Sequence, residues 1–158
     1  VTPPISRVED HTTRFVVMGR PQGKGSKRVL PIRGRGLPAE RIVLVDSNKN
    51  ARPWAARIAY EAVRAHRQRP LMRGPVLVQL TFFFARPKAH FGRGRNSSKL
   101  RPTAPLHMAT MPDIDKLARC TLDAFTGTLI KDDSQVTDLT LGKRYGEPER
   151  VEVTVIEL

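Results

Sequence analysis

The chain is poor in cysteine: Cys120 is the only one among 158 residues. A single thiol excludes an intrachain disulfide framework and a cysteine-built zinc site, and it points to a reducing compartment. Long apolar runs are lacking as well. The longest, from Val76 to Ala85, is broken by Gln79 and Thr81 and falls well short of the ~20 apolar residues that span a bilayer. The first residues show no basic start followed by an apolar core, so no signal peptide is expected. Acidic residues are scarce where basic ones are dense. Residues 1–111 hold 22 basic and 5 acidic side chains, whereas residues 112–158 hold 6 basic and 10 acidic ones.

What is present in excess is cationic charge. The 28 Lys and Arg against 15 Asp and Glu leave a formal net charge of +13. Such an excess on a small chain suits a polyanion. Nucleic acid is favoured over an anionic membrane, because no helical pattern is basic on one face and strongly apolar on the other. Charge alone leaves a basic protein without a ligand open, since Arg outnumbers Lys by 20 to 8, as a GC-rich genome also dictates. The length fits one domain, and 39% hydrophobic residues with 27% charged ones fit a globular chain.

The patterning predicts an α+β domain. Residues 1–12, with Pro3 and Pro4, read as an extended arm. Phe15 to Met18 reads as a short strand, and Arg20 to Arg28 as a Gly-rich basic loop able to approach a phosphate backbone. That loop lacks the spacing and the Lys-Ser/Thr ending of a nucleotide-binding P-loop. Residues 31–40 read as a further Gly/Pro/Arg loop, and Ile42 to Val45 as a strand. Asn48 to Gln68 reads as a long helix whose Trp54, Ile58, Ala62 and Ala65 form one apolar stripe. Val76 to Ala85 reads as a strand covered on both faces, with Phe82 and Phe84 on one side and Phe83 on the other. Arg86 to Met111, rich in Gly, Pro, Ser and Arg, reads as a mobile basic loop that orders on a polyanion. A second helix runs through Phe125. Val136 to Tyr145 and Val151 to Val155 alternate as strands of a terminal hairpin.

The rare carboxylates cluster. Asp113 and Asp115 fall at a helix start, where the positive dipole end favours the ionised form. Asp132 and Asp133 follow a turn after that helix and are placed to return to its start. Convergent carboxylates in a basic protein make a hard oxygen site suited to Mg²⁺ or Mn²⁺. Helix capping and simple solvation explain the same spacing equally well. Arg119, four residues after Asp115 and four before Asp123, reads either as a helix ion pair or as a stabiliser of charge on a phosphate. Lys116 and Lys131 are alternatives for that role. Pro112-Asp113 starts the signature of restriction-type nucleases, but no Asp-x-Lys or Glu-x-Lys follows, which disfavours that family.

Three separated segments carry a resemblance. They are Pro112-Asp113-Ile114-Asp115-Lys116-Leu117, Leu122-Asp123-Ala124-Phe125 and Asp132-Asp133-Ser134-Gln135-Val136. Their order and separations resemble the RusA-type Holliday junction resolvases, and Gly19-Arg20-Pro21 with Lys24-Gly25 is similar to the first loop of phage-type members. The resemblance implies a homodimeric, Mg²⁺-dependent endonuclease that cuts four-way or branched DNA with paired symmetric nicks. It implies a location in the cytoplasm of a bacterial or phage-infected cell. By position it assigns Asp113, Asp115 and Asp133 as metal-binding catalytic carboxylates, assisted by Asp132. The family lysine falls at Arg119, which keeps the charge but cannot give up a proton. Lys116 replaces the usual Asn and is an alternative for part of that function. The expected DNA contacts are Arg20, Lys24, Lys27 and Arg28, then Arg93, Arg95, Lys99 and Arg101, then Lys143 and Arg144.

The expectation is therefore a single RusA-like α+β domain over residues 1–158, a mixed sheet packed with two main helices. A nuclease of forks or other branched DNA, and a non-catalytic nucleic-acid binder, stand beside junction resolution as alternatives.

Overall fold

A computed structural model describes residues 11–32, 41–67 and 69–158, with the backbone alone at 29–32 and 41–46. Most of the expected arm at 1–12, and most of the expected loop at 31–40, lie outside the described residues.

The elements follow in order as β1 (Thr12–Met18), β2 (Lys27–Ile32), β3 (Arg41–Asp46), α1 (Ala51–His66), β4 (Val76–Phe84), α2 (Ile114–Phe125), β5 (Val136–Tyr145) and β6 (Arg150–Glu157). Four strands make a mixed sheet in the order β1-β6-β4-β5, and β2 with β3 forms a separate antiparallel pair. This is the α+β domain with two main helices that the patterning predicts.

The longest apolar strand takes a central place. β4 alternates fully buried Val76, Val78, Leu80, Phe82 and Phe84 with more exposed residues. Those five face the helices. Phe15 of β1 meets Phe125 of α2 edge-on at 6.1 Å between ring centres, which closes the same core. Of the stripe predicted on α1, Trp54, Ile58 and Ala62 are buried, whereas Ala65 is half-buried and His66 takes the buried place at the end of the helix. Cys120 is also buried, its Sγ 3.7 Å from the Ala51 carbonyl.

Three expectations are corrected. The strands β5 and β6 do not form a hairpin: β4 lies between them, parallel to β5 and antiparallel to β6. Alternation identifies a strand but not its neighbour, and the most apolar strand claims the two-sided position. Phe83 is not covered by a helix. It is half-buried, sheltered by the Arg150 guanidinium 3.9 Å from its ring centre. A sheet with antiparallel strands can leave one face to water, and here it does. Finally, Lys27–Ile32 is a strand where Arg28 and Pro31 read as loop: proline masks the strand signal, yet it is tolerated on an edge strand such as β2.

The segment at 86–111 is folded as well. It holds two short 3-10 turns, Lys88–His90 and Gly94–Asn96, and a bridge between Phe91 and Leu100. The Arg86 guanidinium lies 4.4 Å from the Tyr145 ring centre, and His90 meets the same ring edge-on at 5.3 Å. These contacts dock the excursion against the end of β5.

The C-terminal strand is tied to the entry of β4 through Glu157, whose Oε1 accepts from the backbone N–H groups of Arg73 and Gly74, both at 2.8 Å. The Gly74 bond, then that of Arg73, holds this carboxyl below its ordinary value of 4.5. A depressed folded-state value stabilises the fold above the unfolded value, and that contribution disappears as pH falls through the folded one. Glu157→Gln is therefore expected to flatten the loss of thermal midpoint below pH 4.5. Identical acid slopes for the two proteins, measured by circular dichroism, would contradict this.

Candidate active site

The N-terminus of α2 forms one wall of a cleft of about 480 Å³, and the loop after β1 forms the other. Its lining includes Arg20, Gln22, Lys24, Asn48, Asp113 and Lys116. The apolar face of α2 anchors that wall: Leu117, Cys120, Thr121 and Phe125 are buried. The polar end of the helix is thereby left at the surface.

The loop is pressed directly on the helix. Lys24 N–H donates to the Lys116 carbonyl at 3.0 Å. A Cβ on Gly23 would sit 3.1 Å from the Lys116 Cβ, so only glycine allows this approach without displacement. Asn48 Nδ2 donates to the Gly23 carbonyl at 2.8 Å and to Gln22 Oε1 at 3.3 Å, holding the loop from behind. Asn48 was not singled out in the sequence. An asparagine just before a helix reads as a turn residue, and nothing local announces a partner 25 residues upstream.

Each predicted carboxylate has a distinct setting. Asp113 occupies the N-cap of α2, yet its side chain accepts no capping hydrogen bond. Its Oδ2 instead pairs with Lys116 Nζ at 3.0 Å. Asp115 is exposed in the first turn. Asp132 caps the 3-10 turn Asp133–Gln135, with Gln135 completing a reciprocal box. Hydrogen bonds from Ser134, side chain first and then backbone, hold the Asp132 carboxyl below its ordinary value. Asp132 is thus committed to the turn, while Asp133 is exposed at its first position. Gln135 locks the turn in place: its Oε1 accepts from Lys131 and Asp132, and its Nε2 donates to the carbonyls of Met72 and Gly74.

The turn lies against α2, with Cα separations of 8 Å or less. Among the described residues, however, no group of three or more His, Cys, Asp or Glu side chains is gathered to hold a metal ion. The donor chemistry, carboxylate oxygen only, suits a hard divalent cation. The expected side-chain convergence of Asp113, Asp115 and Asp133 is not formed in this arrangement.

The basic residues are also sorted. Lys24 pairs with Asp123, and Arg20 Nη1 lies 3.2 Å from Glu149 Oε1. Asp123 therefore serves Lys24 in place of the helix pair with Arg119, and Arg119 is exposed with no ion pair among the described residues. Lys27, Arg28, Arg93, Arg95, Lys99, Arg101 and Arg144 are exposed. Arg101 also donates through Nε to the Phe91 carbonyl at 2.7 Å. Lys143 is half-buried, and its Nζ donates to the carbonyls of Thr110 at 2.6 Å and Pro112 at 2.8 Å.

Gly23→Val tests the pressed loop. Overpacking is expected to cost about 1–3 kcal/mol in urea unfolding. A loss below about 0.5 kcal/mol would show that the loop lifts freely from α2.

The chain is 30% identical over 150 residues to the uncharacterized protein YqaN of Bacillus subtilis (strain 168), covering 92% of this chain and 96% of that protein. A family model described as endodeoxyribonuclease RusA matches residues 20–156, which takes in the basic loop, both helices and every predicted carboxylate. The chain belongs to the RusA endodeoxyribonuclease family.

Proposed function

We propose that the protein is a Mg²⁺-dependent endonuclease that resolves four-way DNA junctions by paired symmetric nicks. The observation that carries this reading is the cleft in which Asp113, at the N-cap of α2, faces a loop that supplies Arg20 and Lys24, with Asp115 exposed in the first turn of the helix. Cations on one wall hold the phosphate backbone while carboxylates on the other stand ready for hydrolytic chemistry.

Asp113, Asp115 and Asp133 would hold the ion by drawing together from the separate positions they take here, with Mn²⁺ as a substitute. Once bound, a divalent cation supplies Lewis-acid activation of the phosphodiester and of water. The residues of the chain do the rest. The turn that Asp132 caps presents Asp133. Arg119, with no acidic partner among the described residues, is available to offset charge on the phosphoryl oxygens. Lys116, whose Nζ lies 3.0 Å from Asp113 Oδ2, pairs with that carboxylate and is freed toward phosphate if the pair opens. The exposed Lys27 and Arg28 of β2 and the cations of the 86–111 excursion extend the DNA-holding surface. Two-fold pairing of the chain gives two equivalent sites, which matches two symmetric cuts.

Asp115 is the most direct test, because it is exposed and carries no packing. Asp115→Asn is expected to slow cleavage of a synthetic four-way junction in Mg²⁺ by roughly 100-fold or more while junction affinity stays within about threefold. Cleavage at an unaltered rate would remove Asp115 from the reaction.

A further inference from the structure

We propose that Lys143 is a positioning residue for Asp113, clamping the chain that leads into α2, and is not a DNA contact. This rests on the reading of Asp113 as a catalytic carboxylate.

The placement begins with register. Lys143 on β5 is the pairing partner of Phe82 on β4, and Phe82 points into the core with no exposed surface. Side chains opposite one another in a sheet share a face, so the aliphatic stem of Lys143 starts on the packed face. Lysine can bury such a stem while its ammonium reaches the polar edge. Here the ammonium reaches two main-chain carbonyls, Thr110 at 2.6 Å and Pro112 at 2.8 Å.

Those two carbonyls flank Met111, in a stretch that belongs to neither helix nor strand. Pro112 has no N–H to contribute to a local turn. The next residue is Asp113, at the N-cap. An N-cap residue is set by the backbone that delivers it, and the Asp113 side chain has no capping bond of its own to fix its direction. Lys143 therefore holds the delivering segment from the sheet, while Lys24 and Gly23 hold the first turn of α2 from the loop. Two of the three ammonium protons are consumed by carbonyls. No carboxylate pairs with Lys143 among the described residues, so its charge is directed at backbone oxygen. A phosphate contact requires the opposite, a cationic group left free toward solvent, as the guanidinium of the exposed neighbour Arg144 is.

The test uses the full chain, a synthetic four-way junction and Mg²⁺, with cleavage measured under single-turnover conditions and binding measured in Ca²⁺ across a salt series. Lys143→Met keeps the stem and removes the donors. It is expected to slow cleavage roughly 10- to 100-fold, with junction affinity within about twofold and the salt slope unchanged. Lys143→Arg keeps the charge but moves the donors. It is expected to bind like the wild type and to recover less than half of the cleavage rate. The proposal is overturned if Lys143→Met cleaves normally at saturating DNA but binds more weakly with a salt slope shallower by about one, the signature of a lost phosphate contact. It is also overturned if Lys143→Arg cleaves at the wild-type rate, and this arm decides the matter should the methionine variant not fold. Asp113→Asn separates the two levels of the account. If that variant cleaves like the wild type, the reading of Asp113 fails; if it is inactive and Lys143→Met is not impaired, the clamp alone fails.

Discussion

Burial of the apolar face of α2 is the constraint on which the site depends. Leu117 and Phe125 lie at 0% exposure, packed against the sheet core. Because that face cannot turn away, the opposite end and side of the helix must meet water. Asp113, Asp115 and Arg119 occupy the positions left over, and the cleft forms beside Asp113 and Lys116. The hydrophobic effect thus places the chemistry without touching it, since a packed helix transmits its orientation to every residue on it.

The cleft is held by charge and backbone contacts of a second kind. The loop after β1 presses its glycine on the helix and brings Lys24 to Asp123, while Lys116 neutralises Asp113. Exposed pairs of this sort are worth little each, so they are readily exchanged when a polyanion or a cation arrives. A basic shell around an acidic centre is then a set of replaceable partners. The net of +13 divides accordingly, with the excess on the loops and strands before residue 112 and the carboxylates after it.

Much of this was legible in the sequence, for local reasons. The 3.6-residue stripe of Trp54, Ile58 and Ala62 and the apolar run of β4 report burial directly. The spacing of Asp113 and Asp115 places them at a helix start. What escaped was long-range. Alternation in β5 and β6 does not say that β4 comes between them. Composition suggested a loose segment at 86–111, yet aromatic and cationic contacts to Tyr145 fold it back. Asn48, Gln135 and Lys143 act through backbone atoms far along the chain, and a side chain that serves a distant carbonyl leaves no pattern around itself.

The central claim is that the exposed end of α2 and the basic loop together form a nuclease site for branched DNA. The most direct measurement is strand cleavage by the wild-type protein on a four-way junction, a replication fork and a linear duplex of matched sequence, each with Mg²⁺ and with chelator, resolved on denaturing gels. The account predicts symmetric cuts in the junction with Mg²⁺, little cutting of linear duplex, and none with chelator. Equal cutting of linear duplex, or binding of the junction without any Mg²⁺-dependent cut, would contradict it.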